Sequence, residues 1–193
     1  MVLALTTPPV IEPVTVAECK DHLRILHNDE DTLIEAYMKA AREWCEAFTC
    51  RQFLTATYTL SLDDFPCWEI NLYRAPIQSV SSVQYYDSGG TLTTISSSRY
   101  IVDSAQEPGR VVPEYGLVWP VVRLGRPNAV IVTFIAGWSA ASLVPDSIKI
   151  AIKQLVSHWY ENREPVVVGS ITAEIPKTVE FLLWPYRING IPQ

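Results

Sequence analysis

The residues that could act as a nucleophile sit at Gly137-Trp138-Ser139-Ala140-Ala141. A serine on a tight turn after a strand, as in G-x-S-x-G, would attack an acyl carbon with help from a histidine and a carboxylate. Here the fifth position is Ala, and Ser142-Leu143-Val144-Pro145 does not open a helix at once. His158 falls mid-helix without a suitable acid, so a small serine hydrolase using Ser139 is kept only as an alternative. His158 and Glu161 are spaced to share a helix face, but a carboxylate–histidine metal site needs a second such pair, and the chain has none. Cys19, Cys45, Cys50 and Cys67 form no Cys-x-x-Cys pair, and His22, His27 and His158 add no short-spaced zinc ligands. All four cysteines are expected to be reduced and buried. Asn28-Asp29-Glu30-Asp31 lacks calcium-loop spacing and reads as an acidic helix start that complements the macrodipole. Asp63 and Asp64 are neighbours at a strand end, where adjacent side chains point to opposite faces, so they are expected to form a solvated turn. Neither G-x-x-x-x-G-K-[ST] nor G-x-G-x-x-G is present. The expectation is a protein with no catalytic residue, no metal and no cofactor.

Composition narrows the class further. The chain has 193 residues, 48% of them hydrophobic, which suits a folded core and argues against wholesale disorder. The net charge of -6 argues against a general nucleic-acid binder, which needs a basic stripe for phosphates. The start, Met-Val-Leu-Ala-Leu-Thr-Thr-Pro-Pro, has no basic segment and only a short apolar run, so no signal peptide is read there. The longest apolar stretch, 129–135, is far below the roughly 20 residues a membrane helix needs. A soluble intracellular product without membrane contact is expected.

The elements that must position these side chains follow from periodicity. Thr15-Val16-Ala17-Glu18 fits a capping box and opens a helix to about Leu26, with Val16, Cys19, Leu23 and Leu26 as its apolar stripe. A second helix runs to about Thr49, with Leu33, Tyr37, Ala40, Ala41, Trp44 and Phe48 on its buried face. Strands are predicted at 55–62, 68–72, 79–86, 91–95, 99–102, 109–112 and 129–135, with Asp87-Ser88-Gly89-Gly90 as a hairpin turn. An antiparallel meander, sandwich or small barrel would hold them. A third helix runs from Pro145-Asp146-Ser147 to about Asn162, with Ile148, Ala151, Ile152, Leu155 and Trp159 as its stripe. Residues 166–169 read as extended and 170–175 as a loop. A short helix follows from Pro176 through Leu183, stopped by Pro185. The fold class is α+β: a helical core of two N-terminal helices, a third helix and a short C-terminal helix, with an antiparallel β insert. The division is 1–54 helical, 55–138 β insert, and 139–193 helical with a terminal segment.

With chemistry set aside, interaction surface remains. His158-Trp159-Tyr160-Glu161-Asn162-Arg163-Glu164 concentrates aromatic, charged and amide groups in under two helical turns, and Tyr, Trp and Arg are enriched in interface hot spots. Trp159 fits the core stripe, leaving His158, Tyr160, Glu161, Asn162, Arg163 and Glu164 as candidates for an oligomer interface. Trp184-Pro185-Tyr186-Arg187 has similar character near the C-terminus. Such a segment docks either on a partner or on its own domain.

Four stretches resemble a known family. They are Pro13 through Arg24, with Cys19 where Ala is more usual; Glu107-Pro108-Gly109-Arg110-Val111-Val112-Pro113 with Trp119-Pro120; Asn128 through Trp138; and His158 through Glu164 with Val166-Val167-Val168-Gly169. Together they resemble the tailed-phage head–tail connector family, or head-completion adaptors, in its longer branch with a β insert. The resemblance implies a structural virion protein that forms a homo-oligomeric ring, commonly a dodecamer, below the portal. The ring extends the DNA channel and joins head to tail. Its partners would be further copies of itself, the portal protein and the next head-completion or tail protein, with DNA only as passing cargo. It would catalyse no reaction, act at the head–tail junction of the virion, and be found in host cytoplasm during assembly. Trp184, Pro185, Tyr186 and Arg187 become candidates for portal binding, because C-terminal parts in the family tend to reach the portal. The alternatives are a tail-terminator or tail-completion ring, which the leading helix pair disfavours, and a binding module with a β-sandwich ligand site.

Overall fold

The computed structural model describes residues 1–123, 125–163 and 177–188. They are α+β and divide into two compact units. One unit is built from Met1–Val10 and Thr55–Trp138. The other is built from Ile11–Leu54 and the described residues that follow Trp138 up to Ile188.

The helical unit holds α1 (Val16–Leu23), α2 (Asp31–Thr49), α3 (Asp146–Glu161) and α4 (Lys177–Leu183). The predicted capping box is present at α1. The Thr15 backbone N–H donates to Glu18 Oε2 at 2.7 Å, and the Glu18 N–H donates back to Thr15 Oγ1 at 3.2 Å. The bond from the Thr15 N–H holds the Glu18 carboxyl below its ordinary range. α1 ends earlier than its apolar pattern suggests, because Arg24 turns left-handed at φ 60° and its N–H closes on the Asp21 carbonyl. Leu26 is therefore 98% exposed rather than part of the stripe.

On α2 the centre of the buried face is Ile34, Met38, Ala41, Cys45 and Thr49. The predicted aromatic stripe is displaced: Leu33, Tyr37, Trp44 and Phe48 are only half-buried, and Ala40 is exposed. Large rings at the border still find partners. Trp44 stacks on Phe48 at 5.3 Å, and Tyr37 meets Trp159 of α3 at 6.4 Å. On α3, Val156 takes the buried place expected of Trp159, which is half-buried.

A charged cluster lies inside this unit. Arg42 and Glu46 are 6% and 8% exposed. Arg42 Nη1 donates to Glu46 Oε2 at 2.7 Å, and its Nε donates to Glu12 Oε2 at 2.8 Å. Burial opposes the Arg42 charge, but the two carboxylates more than offset it and hold the guanidinium above its ordinary value. The other Glu46 oxygen, Oε1, accepts from Gln52 Nε2 at 2.7 Å and from the Phe53 backbone N–H at 2.9 Å. One carboxylate thus fixes the chain as it leaves α2.

The β unit contains eight strands: β1 (Val2–Thr7), β2 (Ala56–Leu62), β3 (Ile70–Leu72), β4 (Ile77–Tyr86), β5 (Leu92–Thr94), β6 (Tyr100–Asp103), β7 (Gly109–Pro113) and β8 (Val130–Ala136). They form a five-stranded antiparallel sheet, ordered β1-β2-β8-β4-β5, and a three-stranded sheet, β3-β7-β6. Insertion of β8 between β2 and β4 excludes a simple meander. Tyr58 and Leu60 of β2, Val83 of β4, Val132 and Phe134 of β8, and Ile70, Leu72 and Val111 of the smaller sheet share one apolar cluster. β1 has no counterpart in the sequence reading, which opens its first element at Thr15. Its residues are almost all exposed, so no alternation marks it.

The Glu46 cluster generates a stability prediction. Glu46→Ala removes the acceptor of a buried guanidinium, a side-chain amide and a backbone N–H. It should cost about 3–5 kcal/mol, seen as a lower denaturant midpoint at unchanged slope. A loss below about 1 kcal/mol would show that the cluster does not hold the unit together.

Candidate functional interface

The C-terminal end of α3 carries the first group of candidates. His158 and Tyr160 are half-buried, whereas Glu161, Asn162 and Arg163 are exposed. Glu164 lies outside the described residues, as do residues 166–175. Tyr160 Oη donates to Glu30 Oε2, and Arg163 Nη2 donates to Glu30 Oε1 at 2.7 Å. The Arg163 guanidinium also lies 4.5 Å from the Tyr160 ring centre. Glu30, at the N-cap of α2, is therefore a clasp for the end of α3. The Tyr160 hydroxyl, and then the Arg163 guanidinium, hold the Glu30 carboxyl below its ordinary range, and the same bond pushes the Tyr160 phenol up.

Asn162 is also occupied locally: its N–H and its side-chain Nδ2 both donate to the His158 carbonyl, at 3.1 and 2.8 Å. The second group is brought near the opposite end of α2. The Thr49 carbonyl accepts from the Ile188 N–H at 3.0 Å, and Arg51 Nε donates to the Tyr186 carbonyl. Arg187 lies over Phe48 and Trp184, at 5.4 and 5.6 Å from the ring centres. Ile188 is buried. The segment is thus moored by its backbone, while Trp184 and Pro185 remain exposed. Pro185 does not stop the chain at once, because Trp184–Tyr186 adds a 3₁₀ turn after α4. Phe181, three residues before Trp184 and 74% exposed, was missed by the sequence reading. The i, i+3 spacing of the two rings was the available signal. Val179 and Leu183 point the other way, into the helical core.

Ser139 is exposed and follows β8 in an irregular stretch, with a 3₁₀ turn at Ala141–Leu143 before α3 begins. It is therefore not on a strand-to-helix elbow. Among the described residues, no group of three or more His, Cys, Asp or Glu side chains could hold a metal ion. No helix among them is long and apolar enough to cross a membrane. Cys19 and Cys45 are buried, and burial pushes the Cys19 thiol up to about 11. Cys50 is half-buried and Cys67 exposed, against the expectation that all four are interior. Both lie where the chain leaves regular structure. Asp63 and Asp64 are not merely solvated: Asp63 Oδ1 accepts from the Asn128 N–H at 2.9 Å, and Asp64 Oδ1 from the Phe65 N–H at 2.7 Å. Two open hollows, of about 300 and 250 Å³, flank the Asp64-Phe65-Pro66 corner.

Residues 13–88 match the family described as phage gp6-like head-tail connector protein. No curated protein matches the chain. Among solved structures, a chain in the virion of a native gene transfer agent (GTA) particle is similar, at 22% identity and TM-score 0.81. The likeness covers 100% of this chain and 98% of that one. A chain from the neck of the native GTA particle, computed with C12 symmetry, has 24% identity and TM-score 0.77, with 100% of both chains covered. These likenesses place the whole chain in one fold with those proteins.

The clasp sets an acid dependence. A carboxyl held below its ordinary value stabilises the fold above its unfolded pKa, and that contribution is lost as pH falls through the folded pKa. The Glu30 carboxyl carbon, followed by NMR, should titrate below a free glutamate. In Tyr160→Phe it should move up towards the ordinary value. An unchanged midpoint in that variant would remove the hydroxyl from the clasp.

Proposed function

We propose that this chain, which matches the head–tail connector family over residues 13–88 and shares the fold of a GTA neck protein along its whole length, is a structural connector ring joining head to tail. The observation that carries this reading is the end-to-end coincidence of fold with the neck chain. A similar fold in a neck with C12 symmetry supports a ring of twelve copies, in which one face of each copy meets a different face of the next. The location is the head–tail junction of the virion, reached from host cytoplasm during assembly. The partners are the portal protein on one side and a head-completion or tail protein on the other. The protein acts by shape and contact and catalyses no reaction. A tail terminator is the lesser reading, because the family match begins at Pro13 and takes in the leading helix pair.

The exposed aromatic pair Phe181 and Trp184 serves as the portal anchor in this account, together with Pro185, Tyr186 and Arg187. Deleting everything after Leu183 would also remove the mooring of Tyr186 and Ile188 on α2, so point variants are the cleaner test. Phe181→Ala with Trp184→Ala should weaken capture by the purified portal ring by about a hundredfold, at two hot-spot residues of roughly 1–2 kcal/mol each, with an unchanged melting curve. Full capture by this variant would move the anchor elsewhere.

DNA is cargo here. With a net charge of -6 the chain offers little for phosphates to grip. Purified protein should leave duplex DNA unshifted in gels run at low salt. Tight binding that falls steeply with added salt would contradict a passive channel.

A further inference from the structure

The five-stranded sheet is unusual in its charge. None of β1, β2, β4, β5 or β8 carries a single Asp, Glu, Lys or Arg. The smaller sheet does: Arg110 of β7 pairs with Asp103 of β6 at 3.1 Å and with Glu69 at 2.8 Å. Charge is thus missing from one sheet of a chain whose net charge is -6.

The two edges of that sheet differ. β5 is only three residues long, a common way of blunting an edge. β1, Val2-Leu3-Ala4-Leu5-Thr6-Thr7, is twice that length and lies at the other edge. It has no lysine and no proline, and Val2 and Leu5 are each at least half exposed. On the solvent face, Val2 and Ala4 continue through Thr59 and Ser61 of β2 to Ile131 and Thr133 of β8, a row without a charge. Its one irregularity is a register shift between Leu5 and Thr7 on the side already paired with β2. Among the described residues nothing pairs with the outer side of β1, and an uncharged edge of this kind adds a strand or a flat surface from another chain unless something covers it.

We propose that β1 and the uncharged face beside it form the seam against the neighbouring copy of this chain in the ring. Charge selects that occupant. Each copy is acidic overall, so copies repel one another, and they approach at least cost where neither presents charge. The seam is heterologous: β1 of one copy meets a different element of the next, because pairing of β1 with β1 would close a two-fold dimer and stop a ring. The inference rests on the connector reading and adds a subunit contact distinct from the end of α3, whose Tyr160 and Arg163 are engaged with Glu30.

The test places a photo-crosslinking phenylalanine analogue at Ala4, which is exposed, in particles assembled with the full-length chain. Mass spectrometry of the purified necks first asks whether the chain is there. Irradiation should then give a ladder of dimers and higher multimers linked through residue 4 to the same chain. Ala4→Lys combined with Thr6→Lys should lower the number of copies retained per neck by about tenfold or more, with unchanged circular dichroism. The single variant Thr6→Lys should do so in part. Cross-links from residue 4 only to a different protein, or none in necks that hold the chain, would overturn the seam and leave the connector reading standing. Absence of the chain from necks would overturn both.

Discussion

The structure of the helical unit depends on keeping one buried carboxylate satisfied. Glu46 cannot lie inside the core as a bare charge, because the desolvation cost would exceed what the surrounding apolar packing returns. Its oxygens accept from Arg42, Gln52 and the Phe53 N–H, and Arg42 in turn reaches Glu12 ahead of α1. That network fixes both the approach to the helices and the turn that leaves α2. Once the turn is fixed, the Thr49 carbonyl and Arg51 are placed to hold the backbone at Tyr186 and Ile188. The exposed face of Phe181 and Trp184 is then presented by a segment that is itself tied down. A face held in this way would lose little ordering entropy on binding a partner.

The other end of α2 is organised by a second carboxylate. Glu30 spends both oxygens on Tyr160 and Arg163, so residues that look like interface anchors in the sequence first serve the subunit's own fold. Asp31 beside it pairs with Lys20 of α1 at 2.8 Å. The acidic run thus works less as a set of dipole-complementing charges than as specific ties between helices. Charge is concentrated in the helical unit and in the smaller sheet, and absent from the five-stranded one.

Local signals in the sequence were read well. The Thr15–Glu18 capping box appears as expected, α2 starts at the last residue of the acidic run 28–31, and α3 starts at Asp146, within the predicted Pro145-Asp146-Ser147. Periodicity located the strands from β2 to β8, because half-buried strands alternate. It missed β1, whose exposed side chains follow no pattern. The buried face of α2 was centred on its aromatics, yet Ile34, Met38 and Cys45 occupy the middle. Bulky rings pack at the margin of a helix interface, where there is room for them, and simple spacing does not distinguish margin from centre. The Glu30 clasp joins residues 130 positions apart, and no local signal could announce it. Phe181 was legible through its i, i+3 spacing to Trp184, but it was not singled out. The resemblance to connectors was carried by short motifs scattered along the chain; the family match takes in the first of them, within residues 13–88, and the likeness to the neck chain is one of fold.

The central claim is that copies of this chain form the ring between head and tail. Electron cryo-microscopy of necks from particles that encode it tests that claim most directly. The account predicts one closed ring of this fold, with twelve copies related by C12 symmetry, lying between the portal and the tail-side protein around an open channel. A map whose connector ring is built from another chain, with this one absent from the neck, would contradict it.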